Sequence, residues 1–359
     1  MTPIFDLIEP IDWQLYQDLH PKGNWYELLK ANAEQPLSEM DMAIVTVLDT
    51  PESAFAFRKR LYACKKGSQN YRIKDLGEWP ALHRHLLPHL CVELLKNKVI
   101  PLVVGAQTTA ACAHLAAHFH LKEQISSLLV LPTVENTTGA VHHSSALSWL
   151  FEQKFNGLEH LTIMGYKEYA SDQPALQRLH KLGFDMLSLG RMRDLRENIE
   201  PLIRTAQVTV FELSTIRFSN SAHPDRQSIF GLDAEESVRI AWYAGASAEM
   251  QSFGIYGLEN PLQPEQAELC SVMLWYFAEG YAHRQTFQKE NSLKYYVPIH
   301  DFGQETLVFY KLKNAPIWWI ELPPTLFNAV KILPCAASDY ANALQGEIPE
   351  RWLRFLQKR

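Results

Sequence analysis

The chain has no excess of basic residues: 34 Lys and Arg stand against 40 Asp and Glu, a formal charge of -6 over 359 residues. Lys and Arg form only short clusters such as Arg58-Lys59-Arg60. Phosphate backbones therefore find no electrostatic footing, which argues against nucleic acid as a partner. No apolar run reaches the roughly 18 residues that a membrane helix needs, so no membrane association is expected. The first residues carry Asp6, Glu9 and Asp12 in place of a basic segment followed by an apolar one, and the expected location is the cytoplasm. Cysteine is sparse: five residues (Cys64, Cys91, Cys112, Cys270, Cys335), odd in number, widely spaced and never as Cys-x-x-Cys. That pattern excludes a disulfide framework and a zinc knuckle and leaves ordinary buried thiols. Gly-x-Gly-x-x-Gly, a phosphate-loop Gly-Lys-Ser and Gly-x-Ser-x-Gly are all missing, so neither a nucleotide cofactor nor a serine nucleophile has a visible seat. No internal repeat or low-complexity segment occurs.

What is present is enough apolar residue, 47%, to bury a large core. Seven short apolar runs read as strands: Ala43 to Leu48, Ile100 to Val104, Ser127 to Leu131, Leu161 to Met164, Met186 to Leu189, Val208 to Phe211 and Ser252 to Ile255. They are continuously apolar where a half-exposed strand would alternate, which suits a parallel sheet covered on both faces. Helical spacing fits Ala81 to Leu95, Thr109 to His118, Ala146 to Gln153, Pro174 to Leu182 and Ala234 to Tyr243 between them. The alternation predicts a three-layer α/β/α sandwich with a mainly parallel sheet.

The Ala234 helix is punctuated by Asp233 as N-cap, Glu236 three residues on and Gly245 past its expected end. A longer helix is expected from Glu265 to Glu279, after Pro264 and before Gly280. From about residue 286 the rhythm changes to aromatic-rich extended segments, Tyr295-Tyr296-Val297, Leu307-Val308-Phe309-Tyr310 and Ile317-Trp318-Trp319-Ile320. Pro323-Pro324 and an expected terminal helix after Pro349 follow. We therefore expect a domain over 1–285 and an appended module over 286–359, fastened through Trp318, Trp319 and Trp352 or presenting them to a partner.

Ligands of an open parallel sheet bind outside the carboxyl ends of its strands. Three such ends stand out here: Gly105-Ala106-Gln107-Thr108-Thr109, Pro132-Thr133-Val134-Glu135-Asn136 and Glu212-Leu213-Ser214. Together with Phe230 to Gly245 and Ser252 to Pro261, these segments resemble the ureohydrolase superfamily of arginase, agmatinase and formimidoylglutamase. The likeness spans roughly residues 40 to 285. Ser252-Phe253-Gly254-Ile255-Tyr256, Trp275 to Gly280, Trp318-Trp319-Ile320-Glu321 and Glu347 to Trp352 further resemble a Bacteroidetes arginase-like group that carries a C-terminal extension.

The resemblance implies two manganese ions bridged by a hydroxide that attacks a guanidinium or formimino carbon. Ions about 3.5 to 4 Å apart need several carboxylates to offset their repulsion. The family supplies Gly-Gly-Asp-His-Ser, Asp-x-His-x-Asp and Ser-Phe-Asp-x-Asp at the three ends. In this chain Thr108 falls on the first His and Gln107 on the Asp before it. The second end offers no His in either of two registers and at most Glu135, while Glu212 and Ser214 replace the paired Asp of the third. The family's guanidinium-binding Glu falls near Leu258 or Gly257, and Glu259 stands one step out of register, bulging into the pocket or facing solvent. Mn²⁺ favours oxygen and imidazole donors, and most of them are gone.

Other candidates have plain alternatives. His114 and His118, four apart on one helix, read as a two-point metal grip or as surface and helix-end histidines. His142-His143 offer replacement ligands or an ordinary loop, and His223, Asp225 and Arg226 an anion site or a solvated loop. Arg217, just past the third strand, is placed to pair Glu212 and fill the volume of the lost metals. The reading that follows is a protein without a metal cofactor, a non-catalytic scaffold for a small polar ligand or a protein partner, self-association included. Gln107, Thr108, Glu135, Glu212, Ser214, Arg217 and Glu259 are then a pocket remnant. The alternative is an active hydrolase of linear amidine or guanidine C–N bonds, of the formiminoglutamate, arginine or agmatine type, using a rearranged site of Glu135, Glu212 and His142.

Overall fold

The structure is a computed structural model that describes residues 4–19, 22–68, 70–121, 124–135, 145–195, 198–217, 229–284, 287, 289–299, 306–322, 331–350 and 352–353. Eight strands make the main sheet: β1 (Met42–Val47), β2 (Ile73–Glu78), β3 (Ile100–Gly105), β4 (Ile125–Val130), β5 (Leu158–Tyr166), β6 (Asp185–Ser188), β7 (Val208–Glu212) and β8 (Ser252–Tyr256). All pair in parallel, in the order β2-β1-β3-β8-β7-β4-β5-β6. The seven expected strands are present, and β1, β3, β4, β6, β7 and β8 are buried end to end, as continuous apolar runs require.

The eighth, β2, escapes a sequence reading because it lies at the sheet edge. Its Ile-Lys-Asp-Leu-Gly-Glu alternates buried with half-buried positions. The edge is closed by the N-terminal segment: Glu9 N donates to Glu78 O at 2.9 Å, and Glu78 N returns a bond to Glu9 O at 3.1 Å.

One face of the sheet is covered by α1 (Trp25–Asn32), α2 (Pro51–Ala63), α7 (Leu189–Asp194), α8 (Ile199–Arg204), α9 (Ala234–Ala246) and α10 (Pro264–Ala282). The other is covered by α3 (Leu87–Lys96), α4 (Thr109–Leu121), α5 (Ala146–Glu152) and α6 (Gln173–Lys181). Two apolar cores result, one per face, which confirms the three-layer reading. Asp233 and Glu236 form a reciprocal capping box on α9, with bonds of 2.8 and 2.9 Å.

The two glycines read as helix ends are inside helices. Helix α9 runs through Gly245 to Ala246, and α10 runs through Gly280 to Ala282. A Cβ on Gly245 would lie 2.0 Å from Phe277 O, and one on Gly280 would lie 2.2 Å from Trp242 O. Glycine is there because the helix backbones touch. Gly280→Ala should therefore lower stability by about 2 kcal/mol or more in chemical unfolding, the cost of parting two packed helices. A wild-type midpoint would show that the crossing relaxes freely.

The aromatic-rich segments form a second, antiparallel sheet in the order β12-β11-β10-β9: β9 (Ser292–Pro298), β10 (Thr306–Leu312), β11 (Trp318–Glu321) and β12 (Ile332–Cys335). β12 and α11 (Ala337–Leu344) were not legible beforehand. Of the expected terminal helix, Glu350, Trp352 and Leu353 are helical, and Arg354 onward lies outside the described residues, as does Pro323-Pro324. Trp319 fastens this sheet to the first: its ring lies 4.8 Å from the Arg204 guanidinium, whose Nη2 donates to Trp318 O at 2.9 Å. Trp318 and Trp352 serve the small sheet itself, Trp318 by stacking on Tyr340 at 4.9 Å and Trp352 by donating Nε1–H to Glu321 O.

Candidate functional site

The four central strands β3, β8, β7 and β4 bring the candidate segments to one end of the sheet. After β3 the chain turns through Gln107, exposed, and Thr108, half-buried, into the N-terminus of α4. After β8 comes Gly257 with φ +81, where a Cβ would lie 3.6 Å from Thr108 Cγ2 and 3.9 Å from Leu213 N. The ends of β3, β8 and β7 therefore converge on this left-handed residue, a conformation that favours glycine. Glu135, beyond β4, is exposed and accepts from Thr133 Oγ1 at 2.9 Å.

Glu212 closes β7 in register with Tyr256, which in turn is in register with Gly105. Aligned residues of neighbouring strands share a face. The Glu212 carboxyl thus lies on the α4 side of the sheet, near Cys112. It is 5% exposed, and its Oε1 is buried with no hydrogen-bond partner among the described residues. Burial, and then the charge of Glu135, pushes Glu212 up to about 8. A carboxyl in that range holds its proton at neutral pH. Cys112 is likewise pushed up to about 12 by burial and then by Glu212, so its thiol is inert.

Three expectations need correction. Arg217 does not pair Glu212. A one-turn helix at Leu213–Thr215 and the bond from Arg217 N to Leu232 O carry it outward, where its exposed Nη2 lies 3.7 Å from Asp233 Oδ2. Glu259 does not face solvent: it is 2% exposed, its N–H donates to Gln266 Oε1 at 2.9 Å, and its own Oε1 accepts from Gln266 Nε2 at 3.3 Å. The third correction concerns His114 and His118, which are not surface residues. Both are buried where α4 packs on β8, with His114 Nδ1 bonded to Tyr256 Oη at 2.8 Å and His118 Nε2 to Ser252 Oγ at 2.6 Å. Burial drives His114 down to about 3, so it stays neutral. Ser214 is half-buried beside Glu212 in sequence. Asn136, His142, His143, His223, Asp225 and Arg226 lie outside the described residues.

Sequence reasoning missed the Gln266 grip on Glu259 and a buried ionic network beside the site. Arg58, one of the short Arg58-Lys59-Arg60 cluster, is 4% exposed and grips Asp75 through Nε at 3.1 Å and Nη2 at 3.3 Å. Tyr62 Oη donates to Asp75 at 2.8 Å, and Glu78 lies 3.7 Å from Arg58 Nη1. Burial pushes Glu78 up to about 7, against the opposing pull of Thr46, Arg58 and the Leu48 N–H.

The fold so built, eight parallel strands between two helical layers, is shared with solved ureohydrolases. A Trypanosoma cruzi formiminoglutamase solved with manganese superposes with a TM-score of 0.64 at 15% identity, covering 73% of this chain and 99% of its own. The formimidoylglutamase of Bacillus subtilis gives 0.57 at 12% identity, covering 70% and 93%. The agmatine ureohydrolase of Thermoplasma volcanium gives 0.56 at 11% identity, covering 71% and 94%. No family sequence model and no curated protein matches the chain.

A binuclear manganese centre can be tested against the residues present. Among the described residues no three His, Cys, Asp or Glu are grouped to hold a metal ion. The remnant offers an exposed amide (Gln107), two hydroxyls (Thr108, Ser214), an exposed carboxylate (Glu135) and a buried carboxyl that favours its proton (Glu212). Two divalent ions would need several ionised donors within reach of both, and this set does not fit them.

Proposed function

We propose that this chain is a non-catalytic member of the ureohydrolase fold, a scaffold that binds a small polar ligand or a protein partner. On this reading residues 1–285 form the arginase-fold domain and 286–359 an appended module, and the protein is cytoplasmic and akin to the Bacteroidetes group named above. The observation that carries the proposal is Glu212. Its position resembles that of a metal-ligating aspartate, yet it is buried, lacks a cationic partner among the described residues and is pushed towards its protonated form. A carboxyl of that kind supports a site without the charge that divalent metal chemistry demands.

Arginine, agmatine and formiminoglutamate, supplied with Mn²⁺, should yield no urea, ammonia or formamide above a protein-free control. Turnover that Glu212→Ala abolishes would overturn the proposal. The charge of Glu135 acting on Glu212 favours the second reading, a rearranged hydrolase site, and that outcome would establish it.

A further inference from the structure

The buried network around Arg58 sets two carboxyls against one guanidinium, and the two are bonded unequally. Asp75 accepts four hydrogen bonds: Arg58 Nε and Tyr62 Oη on Oδ2 at 3.1 and 2.8 Å, and Arg58 Nη2 and Gly77 N on Oδ1 at 3.3 and 3.0 Å. Four donors fill the lone pairs of a carboxylate and leave no place for a proton. Glu78 is placed differently. Its Oε1 accepts from Leu48 N, and its Oε2 lies 2.5 Å from Thr46 Oγ1 but 3.7 Å from Arg58 Nη1, too far for a hydrogen bond. Thr46 Oγ1 also accepts from Arg58 Nη2 at 2.6 Å and lies 3.0 Å from Gly77 O, which can only accept. A hydroxyl has one proton and two lone pairs. With that proton given to Gly77 O, the contact between Thr46 and Glu78 is completed by a proton on Glu78. Burial, which raises Glu78 from an ordinary 4.5 to about 7, agrees with this count.

The N-terminal segment leans on this network at two points. Glu9 exchanges both backbone bonds with Glu78, and a Cβ on the neighbouring Gly77 would lie 2.2 Å from Glu9 O. The rings of Trp13 and Tyr16 pack on Tyr62, with centroids 5.6 and 4.9 Å from it. The segment is otherwise thinly held, since between Ile4 and Leu19 only Tyr16 is fully buried. A stretch with so little burial opens at low cost. Arg58 and Asp75 are the charged groups that act on Glu78. Tyr16 and Tyr62 are both pushed up by burial and stay neutral, Glu9 and Asp12 stand at exposed positions, and Asp49, next to Leu48, is paired with Arg84.

We propose that Glu78 is a proton-operated latch, which keeps residues 4–19 docked over the edge of β2 while it holds a proton and frees them when it ionises. Ionisation draws the Thr46 hydroxyl from Gly77 O to Glu78 and sets a second negative charge beside Asp75, to which Arg58 is already committed. Both changes fall on Gly77 and Glu78, the residues that carry Glu9. Undocking gives the ionised carboxyl access to water and uncovers the edge of β2 for another strand. Below about 4.5 the carboxyl is protonated whether the segment is docked or free. Between there and about 7 only the free form is ionised, so docking weakens by up to about tenfold per pH unit and levels off above 7.

The test is native-state hydrogen exchange of the full-length protein from pH 5 to 8, comparing wild type with Glu78→Gln. The reporter is the protection factor of the Glu9 amide, which donates to Glu78 O. Glutamine has the shape of the protonated acid and can give an amide hydrogen to Thr46 Oγ1. Protection in the wild type should fall by about tenfold or more between pH 5 and 7, while Glu78→Gln holds it constant. In both proteins it should stay at least about tenfold below that of β7 and β8, because undocking precedes unfolding. Glu212 is common to both proteins, so its own titration cancels in the comparison. The Glu78 carboxyl, followed by carbon-13 NMR and assigned by its absence from the variant, should titrate near neutral pH. The proposal is overturned if that carboxyl titrates near 4.5, if the Glu9 amide follows one pH course in both proteins, or if it is as protected as β7 and β8. None of these results bears on metal binding or catalysis at the carboxyl ends of the central strands.

Discussion

Glu212→Gln should stabilise the protein at pH 8 and leave it nearly unchanged at pH 4.5. The carboxyl rises from an ordinary 4.5 to about 8 on folding, chiefly through burial. Below 4.5 it is protonated in both folded and unfolded chains and contributes no difference. As pH rises from there towards 8, the unfolded chain releases the proton and the folded chain keeps it. Folding stability is then lost at about 1.4 kcal/mol per pH unit, summing to a few kcal/mol and levelling off above 8. Glutamine has the shape of the protonated acid and escapes this loss. The gap between variant and wild-type unfolding temperatures should therefore widen steadily with pH. The opposite sign, a variant weaker than wild type at pH 8, would mean that Glu212 is ionised and held by a cation.

The second large effect lies in the network beside the site. Arg58→Ala should destabilise the protein by about 3 to 5 kcal/mol, because it strands the buried carboxylate of Asp75 without its bidentate partner. Replacing the pair together, Arg58→Met with Asp75→Leu, should recover much of that loss, since two apolar groups of similar volume need no desolvation. Denaturant unfolding of the single and double variants separates the two contributions. A double variant as unstable as the single would assign the loss to packing of the arginine stem and not to the stranded charge.

The sheet was legible because both its faces are covered. Runs such as Leu102-Val103-Val104 leave no polar position for an alternating pattern to confuse. What was not legible has specific causes. Strand β2 carries Lys74, Asp75 and Glu78 because it is an edge, and its two carboxylates are answered by Arg58, more than fifteen residues away in sequence. Gly245 and Gly280 read as helix ends because glycine usually is one there, whereas a contact between two helices places them mid-helix. At the candidate site, side-chain direction is not readable from spacing. Arg217 is swung away by its pairing to Leu232, Glu259 is held by a glutamine in the first turn of α10, and His114 is turned inward onto Tyr256.

Whether this ureohydrolase-like fold carries two-manganese chemistry is decided most directly by metal content. The purified protein is equilibrated with excess Mn²⁺, desalted and measured by elemental analysis alongside its Glu212→Gln variant. Far less than one manganese per chain is expected in both. Close to two per chain in the wild type, falling with Glu212→Gln, would contradict it.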